Sequence, residues 1–140
     1  MNPTVKTFRL TLRSTTRQIG RVEAFLKKIN HFVHLNEIQM HKLMVSVTEA
    51  ANNAIIHGNK MDPEKRVRLT GEVKPPWLVI TIVDQGSGFD HRTVSSPLRK
   101  KNLLKASGRG IFLMRTLMDK VDFRRNSTGV QVVLWLDMNK

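Results

Sequence analysis

The sequence predicts an α+β two-layer sandwich, in which one mixed, mostly antiparallel sheet carries helices on one face. Three observations lead there. Apolar and polar residues alternate near both ends of the chain, two long runs between them follow helical spacing, and turn-forming residues stand where strands must double back.

Phe8, Leu10 and Leu12 alternate with Arg9, Thr11 and Arg13, the pattern of a half-buried strand. Ser14-Thr15-Thr16 offers a cap for a helix in which Ile19, Val22, Phe25, Leu26, Ile29, Phe32 and Val33 recur on one face. Asn36 offers a second cap, and from Glu37 onward Ile38, Met44, Val45, Val47, Ala51 and Ile55 follow without Pro or Gly until Gly58, where the helix is expected to stop. Strands are expected from Arg66 to Val73 and from Trp77 to Val83, with Pro75-Pro76 marking the hairpin between them. Residues from about 89 to 107 show little periodicity and read as a long loop of the kind that is functional or disordered. A third helix is expected from Gly110 to about Lys120. Strands from Val121 to Arg125 and from Val130 to Leu136 then flank the hairpin turn Asn126-Ser127-Thr128-Gly129. The chain reads as one domain over residues 1–140, with no internal repeat.

Composition narrows the function classes. Forty per cent of residues are hydrophobic and 25% charged, as in a folded globular domain. No apolar run reaches the roughly 20 residues of a membrane span, and the first residues lack the apolar core of a secretory signal, so a cytoplasmic protein is expected. With no cysteine, disulfides and thiolate metal sites are excluded. Twenty-four Lys and Arg against 11 Asp and Glu give a net charge of +13, spread along the chain rather than held in a tail. That field attracts an anionic partner and does not say which. Nucleic acid stays open on charge alone; the few aromatic residues are scattered and form no stacking platform.

Three short motifs carry the chemistry. In Glu49-Ala50-Ala51-Asn52-Asn53-Ala54-Ile55-Ile56-His57-Gly58, helical spacing puts Glu49, Asn53 and His57 on one face. An amide oxygen can ligate magnesium there, while a carboxylate one turn away takes a proton from a nucleophile; a merely solvated helix face is the alternative. In Asp84-Gln85-Gly86-Ser87-Gly88, a carboxylate at a strand end can accept from an adenine amino group. Gly86 and Gly88 would let the ligand approach the backbone, although an ordinary glycine turn fits as well. Ser107-Gly108-Arg109-Gly110 opens a helix and can seat phosphate on free backbone N–H groups, with Arg109 adding charge; an ordinary loop-to-helix junction is again the alternative. This third motif is neither a Walker loop nor the dinucleotide fingerprint GxGxxG, because Leu stands at 113.

In this order the motifs resemble the N, G1 and G2 boxes of the ATPase superfamily of gyrase, histidine kinases and mismatch-repair proteins, with its Bergerat-type ATP-binding fold. EAANNAIIHGN, DQGSGFD and GRGIFLMRTLMD, with the element order and length, are similar to its smallest members, the anti-sigma factor serine/threonine protein kinases. The resemblance implies ATP and Mg2+ as cofactors. It implies that Glu49 is the catalytic base toward a substrate serine, that Asn53 holds the metal, and that Asp84 reads adenine in a pocket lined by Gly86 and Gly88. His57, Ser107, Gly108, Arg109 and Gly110 complete the nucleotide site. It further implies a homodimer whose partners are an anti-sigma-factor antagonist, phosphorylated on serine, and a sigma factor, with Arg21 contacting partners. An ATP-binding regulatory module that sequesters a partner without phosphotransfer is the alternative. A sensor histidine kinase domain fits less well, since no two-helix dimerisation segment is evident around His31, His34 and His41. The charge of +13 does not follow from the resemblance.

Overall fold

A computed structural model describes residues 5–86 and 109–140. Strand β1 (Lys6–Arg13) leads through a 3-10 turn (Thr16–Gln18) into α1 (Ile19–Val33) and then α2 (Glu37–Asn53). β2 (Arg66–Lys74) and β3 (Trp77–Val83) follow as a hairpin, and residues 109–117 form the described part of helix α3. β4 (Lys120–Asn126) and β5 (Gly129–Asp137) close the chain. The five strands lie in the order β1-β2-β3-β5-β4. All four pairings are antiparallel, so the parallel neighbour of a mixed sheet is not found among the described residues.

Alternation along the strands decides which face is covered. Leu12, Leu69, Leu78, Ile80, Ile82, Leu134 and Leu136 point to one side and meet Val22, Leu26 and Ile29 of α1, Leu43, Val47 and Ile55 of the second helix, and Met114 of α3. Each buried aliphatic side chain of this kind stabilises the sandwich by about 1.5–3 kcal/mol. The opposite face of the sheet carries no described helix and presents mainly polar positions, including Arg9, Thr11, Arg13 and Arg68.

Two expected helix ends differ from the sequence reading. The Ser14-Thr15-Thr16 cluster does not cap α1 with a side chain. Ser14 is fully buried and donates instead to the Lys65 carbonyl at 2.7 Å, because the 3-10 turn pushes the helix start on to Ile19. At α2 the expected cap forms as a complete capping box. Asn36 Oδ1 accepts from the Gln39 amide at 2.8 Å, and Gln39 Oε1 accepts from the Asn36 amide at 3.0 Å.

The second difference lies at the far end of α2. The α-helical ladder stops at Asn53 and a π-helical turn, Ala54–Gly58, carries the chain on. Its mark is the Asn59 amide donating to the Ala54 carbonyl at 2.8 Å, one residue farther back than in an α-helix. His57 sits in that wider turn and is exposed. The single helical face drawn through Glu49, Asn53 and His57 therefore holds only for Glu49 and Asn53, because the period changes between Asn53 and His57.

Candidate nucleotide site

The end of α2 is where the distant motifs meet. Asp84 follows the last residue of β3 and is 5% exposed. Its amide donates to the Val130 carbonyl at 3.0 Å, extending the β3–β5 ladder by one residue. Its Oδ1 accepts from the Gly86 and Val130 amides, each at 3.0 Å. Oδ2 has no hydrogen bond among the described residues, so one carboxylate oxygen is fixed by backbone and the other is left as an acceptor.

Gly58, at the end of the π-helical turn, lies so close to this carboxylate that a Cβ there would run into Asp84 Oδ2. Gly129, with φ of 153°, closes the other side against the Asp84 backbone. The turn at 54–58 thus advances the backbone of α2 onto Asp84 where an α-helical continuation would place a different residue. Burial pushes the Asp84 carboxyl above its ordinary range, against the opposing pull of the Val130 and Gly86 amides and the charges of Lys65 and Arg125.

Asn59 supports this corner and is a residue that the motif reading missed. It is fully buried. Its Nδ2 donates to Ser14 Oγ at 2.8 Å and to the Arg66 carbonyl at 3.0 Å, while Oδ1 accepts from the Gln85 amide at 2.7 Å. Gln85 in turn accepts from the Arg66 amide through Oε1 at 2.6 Å. The residue after Asp84 is thereby tied to the end of β1 and the start of β2. The asparagine directly after His57-Gly58 was the available signal, but its partners are remote in sequence.

The other half of the site lies one to two turns back along α2. Gly110, at the start of the described part of α3, has its backbone against Asn53 and Glu49. A Cβ placed on it would lie 2.9 Å from Asn53 Nδ2 and 3.1 Å from Glu49 Oε2. The Glu49 and Asn53 side chains are half-buried and make no hydrogen bond among the described residues. Five residues separate Asn53 from Gly58, so the two contacts lie about 7 Å apart along the helix.

Of the residues singled out from the sequence, the structure brings together Glu49, Asn53 and Gly110, and, at the next turn, Gly58, Asp84 and Gly86. Arg109 is exposed and begins the described part of α3. Gly88, Ser107, Gly108 and the expected loop at 89–107 lie outside the described residues. His57 makes no hydrogen bond to Glu49, Asn53 or Asp84. Arg21 is apart from the cluster: its Nη1 donates to the Thr11 carbonyl at 3.1 Å and to Gln18 Oε1 at 3.0 Å, covering the outer edge of β1. Among the described residues no group of three or more His, Asp or Glu is placed to hold a metal, so a cation here would need oxygen donors from its ligand and from Asn53.

Comparison with known proteins agrees with this geometry. The family model of the histidine kinase-like ATPase domain matches residues 12–136. The anti-sigma F factor of Clostridium beijerinckii is 30% identical over 117 residues, covering 81% of this chain and 78% of that protein. The serine-protein kinase RsbW of Bacillus pumilus is 28% identical over 150 residues, covering all of this chain and 91% of the relative. Among solved structures, the RsbU and RsbW domains of a Mycobacterium tuberculosis protein superpose with a TM-score of 0.72 at 14% identity. That match covers 97% of this chain and 33% of the other, so this chain spans about a third of that two-domain structure. At that identity the likeness speaks for the fold. No described helix is long and apolar enough to cross a membrane. On the family match and these relatives, the chain belongs to the histidine kinase-like ATPase family, among the anti-sigma factor serine kinases.

Proposed function

We propose that the chain is an ATP- and Mg2+-dependent protein serine kinase that phosphorylates an anti-sigma-factor antagonist and, in the alternate state, holds a sigma factor. The observation that carries this reading is the seating of Gly110 against Glu49 and Asn53, on the same helix end that packs on Asp84. Family membership and the serine-protein kinases among the relatives supply the reaction class.

The residues present fit the nucleotide and its metal. Among the described residues nothing donates to Asp84 Oδ2, and an acceptor there suits the exocyclic amine of adenine. Asn53 offers an unspent amide as an oxygen ligand, and the glycine backbone at 110 leaves room for phosphate beside it. Mg·ATP supplies the transferable phosphoryl group and neutralises charge on it. Glu49 takes the proton from the substrate serine hydroxyl as the serine oxygen bonds to the γ-phosphorus, while the bond to the ADP oxygen breaks. Most of the rate then comes from holding the serine and the phosphoryl group in line, since a phosphoryl transfer asks for little covalent chemistry from the protein.

The test is incubation with labelled ATP, magnesium and purified antagonist candidates, with the product analysed for phosphoserine. Glu49→Gln is expected to abolish transfer while leaving Mg·ATP binding intact. Label in the antagonist that is unchanged by Glu49→Gln would remove the proposed base. Binding of ATP with no transfer to any antagonist would leave a sequestering module instead. The homodimer and the cytoplasmic location implied by the resemblance belong to the same proposal; sedimentation of the purified chain tests the first.

A further inference from the structure

The open face of the sheet is divided in charge. On β1 and β2 the outward positions include Arg9, Arg13, Arg66 and Arg68. Their register places Arg13 directly opposite Arg66, with Arg68 opposite Thr11 and Arg9 opposite Thr70. Directly opposed Cβ atoms stand about 5 Å apart and diagonal ones about 7–8 Å. The four guanidinium groups therefore form one zigzag across two strands. Arg9, Arg13 and Arg68 are exposed and make no hydrogen bond or ion pair through their side chains among the described residues; Arg66 donates to the Pro63 carbonyl at 2.7 Å.

Glu72 stands diagonal to Arg9 on this face and Asp122 lies on the far strand β4, and both are already engaged. Glu72 meets Lys74 at 3.4 Å and Asp122 meets Arg124 at 3.2 Å. Like charges directly opposed across a strand pair destabilise it, and a solvated strand face requires no arginine. The zigzag is a local cost without a local reward.

We propose that the β1–β2 half of the open face docks an acidic segment of a protein partner, whose carboxylates are received by Arg9, Arg13 and Arg68. The guanidinium fork matches a carboxylate with two parallel hydrogen bonds. On the next strand the half-buried Val83 stands opposite Arg68, and no acidic residue of β3 faces the arginines. A long nucleic acid fits this face less well. Laid across the sheet it meets Glu72 and Asp122, and no exposed aromatic residue stands among the arginines to stack a base. A second copy meeting this face through the same face would set arginine against arginine. The proposal does not depend on the nucleotide site, which lies on the other side of the sheet.

The probe is a fluorescent dodecamer of glutamate, titrated by anisotropy at physiological ionic strength. Arg9→Gln/Arg68→Gln is expected to raise its Kd about 10-fold, and Arg9→Glu/Arg68→Glu further. The control Lys28→Glu/Lys42→Glu makes the same charge change as the second variant on the helix layer and is expected to shift it less than about 3-fold. Mg·ATP affinity, measured on the same variants, should not move, which also reports that they fold. Equal losses in the control variant, or no loss in either arginine variant, would overturn the proposal in favour of diffuse charge. Tighter binding of an oligothymidylate of equal charge, with the same dependence on Arg9 and Arg68, would overturn it in favour of nucleic acid. A change in sedimentation on Arg9→Glu/Arg68→Glu would assign the face to a second copy.

Discussion

The two ends of the candidate site are built in different ways. Around Asp84 the backbone does nearly everything. Two amides hold one carboxylate oxygen, glycines at 58 and 129 close in to contact, and the buried Asn59 ties the residue after Asp84 to the end of β1 and the start of β2. Around Glu49 and Asn53, by contrast, the side chains are half-buried, unspent in hydrogen bonds among the described residues, and bounded by the bare backbone of Gly110. A group that must recognise one fixed shape gains from being set in advance, whereas groups that act on a metal and a moving proton need free lone pairs. Under the proposed function, this difference suits recognition at the Asp84 end and chemistry at the Glu49 end.

The largest effect expected from that division is on chemistry alone. Glu49→Gln removes the proton acceptor but keeps the shape, and phosphotransfer is expected to fall by about 100-fold or more with little change in nucleotide Kd. A large rise in Kd would mean that both ends recognise the ligand and that the division is wrong.

Asp84→Asn should do the converse. The two backbone amides keep an oxygen acceptor, but the second position becomes an amino group facing the adenine amine. Affinity for ATP is expected to drop about 30- to 100-fold, as for a lost charged hydrogen bond with an unpaired donor left behind. Calorimetric titration measures it, and an unchanged Kd would place the purine elsewhere.

Smaller effects fall on stability. Gly58→Ala drives a methyl group into the Asp84 carboxylate and is expected to cost about 1–3 kcal/mol, because the neighbour it meets is itself fixed by backbone. Asn59→Ala leaves the Gln85 amide and the Ser14 hydroxyl short of a partner in a buried setting, for about 2–4 kcal/mol. Both are read from denaturant midpoints. Gly110→Ala is expected to leave those midpoints nearly unchanged and lower phosphotransfer, since it crowds side chains that the fold has not committed.

The smallest effect is a pH dependence of opposite sign for folding and binding. Burial raises the folded-state pKa of Asp84 above the unfolded value of about 3.9. Its contribution to stability is therefore full below the unfolded pKa and is lost as pH rises through the folded pKa. Binding needs the carboxylate, so ATP affinity should instead rise over the same interval. In Asp84→Asn both trends attributable to this group should vanish, as denaturation and titration across a pH series would record.

The strands were legible because alternation is written locally in residues such as Phe8, Leu10 and Leu12, and the cap at Asn36 is a local signal as well, to which the structure adds the reciprocal bond from Gln39. Glu49, Asn53, Asp84 and Gly110 were legible as motif residues, and the structure brings them to the same helix end. What the sequence did not disclose depends on distant partners. Nothing in Ala54-Ile55-Ile56-His57-Gly58 announces a π-helical turn, since what that turn accommodates is the approach to Asp84. The same holds for Ser14, drawn away from capping by Lys65 and Asn59, and for Val130, 46 residues beyond the carboxylate it serves. The placement of β5 between β3 and β4 is likewise settled by packing across the whole sheet.

The claim that one nucleotide spans both ends is tested most directly by calorimetry of ATP with and without magnesium, on the unaltered chain, Asp84→Asn and Asn53→Ala. The account predicts that Asp84→Asn weakens binding by the same factor in both conditions, and that Asn53→Ala abolishes only the gain that magnesium brings. No heat from Mg·ATP with the unaltered chain, or a magnesium gain untouched by Asn53→Ala, would contradict it.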